Sequence, residues 1–150
     1  MEKSLMELAE FLRVRFSLEK KDLKTYSPLT LAYIGDAVYD LVIRTLVVEE
    51  GNCAPSRLHK KTSSLVKAQA QAEMIDVLLE TLNEEEQNVY RRGRNAKSYT
   101  MAKNATMKDY RKATGFEALM GYLYLCGKTE RMVELIREGM EKRKTEGEKE

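Results

Sequence analysis

The sequence contains little of the chemistry from which disulfide frameworks and zinc sites are built. Its 150 residues include two cysteines, Cys53 and Cys126, which lack metal-binding spacing, and a single histidine, His59. A disulfide framework is therefore not expected, and one histidine cannot build a zinc site by itself. The scarcity of cysteine pairs also predicts a reducing environment, which is that of the cytoplasm.

Long apolar runs, strand patterns and a strong excess of one charge are absent as well. No stretch reaches the length that spans a bilayer, and the N-terminal segment MEKSLMELAEFLRVRF lacks the apolar run of a signal peptide. We therefore expect no membrane partner. With a net charge of +2, any nucleic-acid binding must come from local charge clusters. We predict one all-α domain over residues 1–142 and a charged, disordered tail over 143–150.

The most apolar stretch, residues 27–51, predicts a central helix. It begins with Ser27 as the N-cap and Pro28 at the first helical position, and it ends at Gly51. Because the segment is apolar almost all the way round, we expect the helix to be buried. Helical spacing and capping signals predict further helices at 4–16, 55–80, 83–93, 110–126 and 129–142. Asn83 and Glu86 have the spacing of a capping box.

Lone acidic residues interrupt two of these apolar helices. Asp36, Asp40 and Arg44 follow one another at four-residue spacing and form one stripe, while Glu117 is the only charge in GFEALMGYLYLCG. Asp40 is placed to pair with Arg44 along the helix, which is the simpler interpretation for that acid. For Asp36 and Glu117, either a basic partner on another element or a shared metal ion would explain the charge. Two converging carboxylates are suitable ligands for Mg²⁺.

The segment 91–112 is the one strongly basic part of the predicted domain. It holds eight lysines or arginines against a single acid, Asp109. A charge run of this kind is usually a solvated connector, but this one directly precedes the helix that bears Glu117. It therefore has the composition that phosphate-backbone binding needs. The candidate nucleic-acid contacts are Arg92, Arg94, Lys97 and Lys103, with Lys60 and Lys61 extending the positive surface.

Three motifs in this order resemble the catalytic domain of the ribonuclease III family. They are YIGDAV at 33–38, SLV at 64–66 and FEAL at 116–119, and the resemblance covers about residues 30–127. The combination of LAYIGDAVYD, RRGRNAKS and ATGFEALMGYLYL is more similar still to the Mini-ribonuclease III branch. That branch has the catalytic domain alone, and since few residues follow position 127, we expect no double-stranded-RNA-binding domain.

The resemblance implies a homodimeric, all-α helical bundle that cleaves double-stranded RNA with Mg²⁺, for which Mn²⁺ can substitute. It assigns Asp36 and Glu117 as the catalytic residues and metal ligands, and it places Tyr33 in the dimer interface. Two other acids of the family are absent, since Ala32 and Thr114 stand at their positions. Asp40 is a candidate replacement ligand, and the number of metal ions is left open.

In the branch that the chain resembles, the substrate is the duplex stem of precursor 23S ribosomal RNA. The implied products are 5′-phosphate and 3′-hydroxyl ends, and a ribosomal protein as helper is left open. Two other classes of function also fit the residues. One is a catalytically silent dimer that binds double-stranded RNA, and the other is a helical interaction subunit whose basic segment meets an acidic protein.

Overall fold

The computed structural model describes residues 5–97 and 106–149, and these residues form an all-helical fold without a strand. The helices are α1 (Leu5–Arg15), a short 3-10 helix (Leu23–Thr25), α2 (Pro28–Glu49), α3 (Pro55–Val66), α4 (Ala68–Leu78), α5 (Glu84–Asn95), α6 (Met107–Leu125) and α7 (Thr129–Lys149). None of the described helices is both long and apolar enough to cross a membrane. The all-α fold class predicted from the sequence is thus confirmed.

Helix α6 is the centre of the bundle. Helices α2, α4 and α5 all pack against it, and α7 packs against both α4 and α6. In the core the ring of Tyr39 on α2 meets that of Phe116 on α6 edge to face, with centroids 5.0 Å apart. Burial on most sides explains why residues 113–125 of α6 carry a single charge, that of Glu117.

Two glycines allow α2 and α6 to cross at backbone contact. A Cβ atom on Gly35 would overlap the backbone carbonyl of Glu117, and one on Gly121 would overlap the carbonyl of Leu31. Only glycine permits such an approach without a shift of one helix. This crossing fixes the residues beside it, Asp36 and Glu117, at short range.

Helix α2 begins as predicted, but it is not buried all round. The side chain of Ser27 accepts a hydrogen bond from the Thr30 N–H, and Pro28 occupies the first turn. The face turned away from α6 is exposed, and it is apolar: it carries Leu29, Tyr33, Ala37, Leu41 and Val48. The expectation of complete burial is therefore wrong for the single chain, because its other helices cover only one face of α2.

The segment predicted as one helix over 55–80 is two helices. Lys67 has an extended conformation (φ −65°, ψ 157°) and separates α3 from α4. The side-chain amide of Gln71 donates a hydrogen bond of 2.8 Å to the Val66 carbonyl, which the end of α3 leaves free. The break thus has a local stabilising contact, although neither proline nor glycine marks it in the sequence.

The last helix continues beyond its predicted end at residue 142. Residues 143–149, which we expected to be disordered, are helical. An ion pair joins Arg143 to Glu73 on α4 at 2.8 Å, and Arg137 and Lys142 pair with Glu141 and Glu138 along α7. The first of these contacts joins the start of the segment to α4, and the other two stabilise the turns of α7 that precede it.

Candidate active site

The crossing of α2 and α6 brings the carboxyl groups of Asp36 and Glu117 together. They lie far apart along the chain, yet their side chains are within hydrogen-bond distance of each other. The side chain of Asp36 is exposed, whereas that of Glu117 is half-buried beneath it. A hydrogen bond between two carboxyl groups requires a proton on one of them. The pair therefore forms a site at the surface that holds either a shared proton or a cation.

The pKa of Glu117 reflects the burial of its carboxyl group beside that of Asp36. Burial, followed by the hydrogen bond and the charge of Asp36, raises the pKa of Glu117 from 4.5 to about 8. A hydrogen bond from Gln71 acts in the opposite direction and lowers it. This raised pKa favours a proton on the Glu117 carboxyl group near neutral pH. A cation between the two carboxylates would displace that proton and remove their repulsion.

Gln71 is a site residue that the sequence analysis missed. Its side chain is only 2% exposed, and its Nε2 donates to Oε2 of Glu117 at 3.3 Å as well as to the Val66 carbonyl. The signal that could have identified it is the one that identifies the acids, a polar residue within an apolar stretch of helix. Gln71 is a polar residue on the apolar face of its helix, between the buried Ala70 and Ala72.

Asp40 does not join the carboxylate pair. Its Oδ2 accepts from Nε of Arg44 at 2.7 Å, as the four-residue spacing predicts. Ala32 and Thr114 stand at the two positions where the family has further acids. Ala32 is buried, and the Thr114 hydroxyl donates to the Tyr110 carbonyl at 3.0 Å. Within residues 5–97 and 106–149, no group of three or more histidine, cysteine, aspartate or glutamate side chains could surround a metal.

The donor atoms at the site nevertheless suit a hard divalent cation. Asp36 and Glu117 offer carboxylate oxygens, which are the ligands that Mg²⁺ and Mn²⁺ prefer. Oε1 of Gln71, on the side chain that contacts Glu117, is buried and has no hydrogen-bond partner among the described residues. With two carboxylates, Mg²⁺ would keep several of its waters, and such a cation leaves positions open for phosphate oxygens.

Four of the six basic candidates lie on two helices, α3 and α5. Arg92 and Arg94 lie in the last turn of α5, where Arg92 borders a cavity of about 700 Å³ and the Arg94 guanidinium lies 5.7 Å from the ring centre of Tyr90. Lys97 is exposed just after that helix. On α3, Lys60 is exposed, and Lys61 pairs with Glu50 at 3.4 Å. Lys103 lies outside the described residues.

Comparison with known proteins assigns this arrangement to a family. The Ribonuclease III domain matches residues 29–128. The chain is 52% identical over 119 residues to the Mini-ribonuclease 3 of Clostridium tetani, covering 79% of each protein. It is 48% identical over 136 residues to the Mini-ribonuclease 3 of Thermoanaerobacter sp., covering 91% of this chain and 94% of that protein.

A solved structure shares the fold. A crystal structure of a Fusobacterium nucleatum protein superposes with a TM-score of 0.72 at 32% identity, covering 78% of this chain and 95% of that one. The chain belongs to the ribonuclease III family and is an endoribonuclease, as the motifs predict. The cleavage of double-stranded RNA is the activity of this family.

Proposed function

We propose that the protein is a Mg²⁺-dependent endonuclease that matures the duplex stem of precursor 23S ribosomal RNA. In this proposal Asp36 and Glu117 are the catalytic metal ligands, and Mn²⁺ can substitute for Mg²⁺. The observation that carries it is the convergence of the two carboxyl groups at the crossing of α2 and α6. Mini-ribonuclease 3 relatives of similar length support the assignment of the same activity.

The two acids have different parts in the proposed reaction. Asp36 is exposed and would hold the cation on the side open to RNA, while the half-buried Glu117 would hold it on the side of the protein core. Glu117 would have to lose its proton to serve as a ligand, because only the carboxylate form offers both oxygens to a cation. The bound cation would activate water, polarise the scissile phosphate and stabilise the leaving 3′ oxygen. The products would carry 5′-phosphate and 3′-hydroxyl ends.

A homodimer is the proposed assembly. Tyr33, with 82% of its surface exposed, stands on the outer face of α2 together with Leu41 and Val48. An apolar stripe of this kind along a central helix fits a second copy related by two-fold symmetry. Two sites related in this way could cleave the two strands of one duplex.

RNA contact is proposed for Arg92, Arg94, Lys97 and Lys103, with Lys60 and Lys61. The exposed Arg92, Lys97 and Lys60 are accessible to a phosphate backbone. An A-form duplex is recognised largely through its shape, phosphates and 2′-hydroxyls, so these cations can serve without a base code. Binding should accordingly weaken as salt concentration rises. A ribosomal protein that presents the stem is a further candidate partner.

The test is cleavage of a defined duplex, with the ends of both strands mapped. The wild-type protein with Mg²⁺ should leave 5′-phosphate and 3′-hydroxyl ends, and cleavage should be lost in Asp36→Asn and Glu117→Gln. Glu130→Gln is the matched control, because Glu130 is an exposed acid in the first turn of α7. Salt-sensitive binding without cleavage by the wild type would instead indicate a silent RNA-binding dimer.

The choice of substrate is tested separately. A duplex with the sequence of the 23S precursor stem should be cut at a single position on each strand. An unrelated duplex of equal length provides the comparison. Equal cleavage of the two at many positions would contradict a role in maturing that stem.

A further inference from the structure

We infer that Gln71 is a positioning residue for the Glu117 carboxylate, held in place by the break between α3 and α4. This role rests on the proposed function, because it concerns how the same pair of acids binds its cation. The residues that carry it are Gln71, Val66 and Glu117, all within the described part of the chain.

The two hydrogen bonds of the Gln71 amide fix its orientation. Nε2 has two hydrogens, and its two partners are the Val66 carbonyl at 2.8 Å and Oε2 of Glu117 at 3.3 Å. A backbone carbonyl accepts hydrogen bonds and cannot donate them. If the amide were turned over, Oε1 would face that carbonyl. The amide therefore presents an N–H to Glu117.

The anchor of this amide is rigid. Val66 is the last residue of α3, and the extended Lys67 separates it from α4, whose first turns carry Gln71. The Val66 carbonyl is one of the free carbonyls at the end of α3. It can therefore accept a hydrogen bond from the amide without breaking a hydrogen bond of the helix. Burial leaves the Gln71 side chain little freedom to rotate.

The consequence is a preferred direction for the Glu117 carboxylate. An N–H on Oε2 holds one oxygen toward α4, while the close crossing with α2 confines the Glu117 backbone on the other side. A carboxylate restrained from two sides loses less conformational entropy when it binds a cation. Partners of metal ligands commonly change metal affinity by about 10- to 100-fold when they are removed.

The experiment replaces Gln71 by Met, which has similar size and no amide. The readouts are the Mg²⁺ concentration at half-maximal thermal stabilisation, and the Mg²⁺ dependence of duplex cleavage. For Gln71→Met we expect both half-saturating concentrations to rise about tenfold. The cleavage rate should recover at saturating Mg²⁺, and the KM for duplex should stay unchanged, because the residue acts on the carboxylate rather than on RNA.

Gln69→Met is the matched control, because Gln69 is exposed on the same helix, two residues away. Its Mg²⁺ dependence should equal that of the wild type. If Gln71→Met does not melt cooperatively, Gln71→Asn provides the same test, since the shorter amide cannot span both partners. Equal Mg²⁺ dependence in the folded Gln71 variant and the wild type would overturn the inference. A wild type that neither cleaves nor responds to Mg²⁺ would overturn the proposed function itself.

Discussion

At the scale of single residues, Glu117 is the side chain of the site whose charged form is most disfavoured by its surroundings. It is half-buried, faces a second carboxyl group and is compensated only in part by the Gln71 amide. Its pKa of about 8 lies above the value of 4.5 expected in the unfolded chain. At pH values between these two pKa values, the metal-free folded protein therefore binds more protons than the unfolded chain.

Stability without metal should consequently fall as pH rises from about 4.5 to about 8. At about 1.4 kcal/mol per pKa unit, the total loss is on the order of a few kcal/mol. Glu117→Gln should remove most of this slope and be more stable than the wild type at pH 9. The measurement is urea unfolding in a chelator at pH 5, 7 and 9, with Glu130→Gln as control. A slope in Glu117→Gln equal to that of the wild type would show that the acid does not titrate as described.

A second buried acid, Glu86, has the opposite electrostatic situation. Arg131 donates to both of its carboxylate oxygens at 2.8 Å and is the main cause of its lowered pKa. Glu86 also closes the capping box with Asn83 at the start of α5. One ion pair thus joins the beginning of α5 to α7.

Arg131→Met should destabilise the fold by about 2–3 kcal/mol, because it leaves a buried carboxylate unpaired. Arg137→Met on the same helix is the control, since its ion pair with Glu141 is exposed on both sides. That control should change the free energy of unfolding by less than about 1 kcal/mol. Urea unfolding at pH 7 separates the two cases, and equal effects would contradict a structural role for Arg131.

At the scale of the elements, the contact between α2 and α6 creates the site. Gly35 is the residue that lets the backbone of Glu117 approach, so the position of the acids depends on a missing side chain. Any added atom would separate the helices or rotate one of them. The same contact buries Tyr39 against Phe116 nearby, which holds the crossing rigid.

Gly35→Ala should therefore cost about 1–3 kcal/mol of stability through overpacking. It should also reduce cleavage by about 100-fold, because a displacement near 1 Å is enough to disturb catalytic geometry. The control is Gly147→Ala on α7, where an added Cβ meets no atom within 4 Å. Unfolding and cleavage assays on both variants test this, and full activity in Gly35→Ala would contradict the described crossing.

The elements also show which features a sequence can predict. Ser27 with Pro28 and Asn83 with Glu86 mark helix starts through local chemistry, and both starts are where they were predicted. The break at Lys67 has no such mark, since its stabilising contact comes from a side chain four residues later. Residues 143–149 are fastened by Glu73 on a distant helix, which no local pattern reveals.

The candidate site likewise combines features with a local sequence signal and features that depend on distant contacts. The two acids stand out in the sequence because Glu117 is the single charge of an apolar segment and Asp36 begins a charged stripe on an apolar helix, and their motifs identified the family. The two acids come close because Gly35 on α2 and Gly121 on α6 let the helices cross at backbone contact. This packing of distant segments cannot be read from a local sequence pattern. Gln71 carried a similar signal, but an uncharged amide on an apolar face is less conspicuous than a carboxylate.

At the scale of the whole molecule, the exposed face of α2 determines the expected assembly. Tyr33, Leu41 and Val48 form an apolar stripe on the helix that also carries Asp36. A second copy seated on this face would bury the stripe and bring the two sites into one symmetric particle. The central helix would then be covered on both faces, which agrees with its apolar sequence.

If the proposed dimer forms through this face, replacing Tyr33 and Leu41 together by Asp should convert it into monomers. Sedimentation velocity over a range of protein concentrations measures the change directly. Val133→Asp is the control, because Val133 is an exposed apolar residue on α7. A wild-type protein that sediments as a monomer at all concentrations, or a double variant that remains dimeric, would contradict the proposed interface.

The most direct test of the site is to locate the cation itself. Crystals grown with Mn²⁺ would give an anomalous scattering map in which its position is independent of any assumption about mechanism. We predict a peak within ligand distance of both the Asp36 and Glu117 carboxylates, about 2 Å from an oxygen of each, which is lost in Glu117→Gln. A peak elsewhere, or no peak beside the two carboxyl groups at saturating Mn²⁺ and pH 8, would contradict the account.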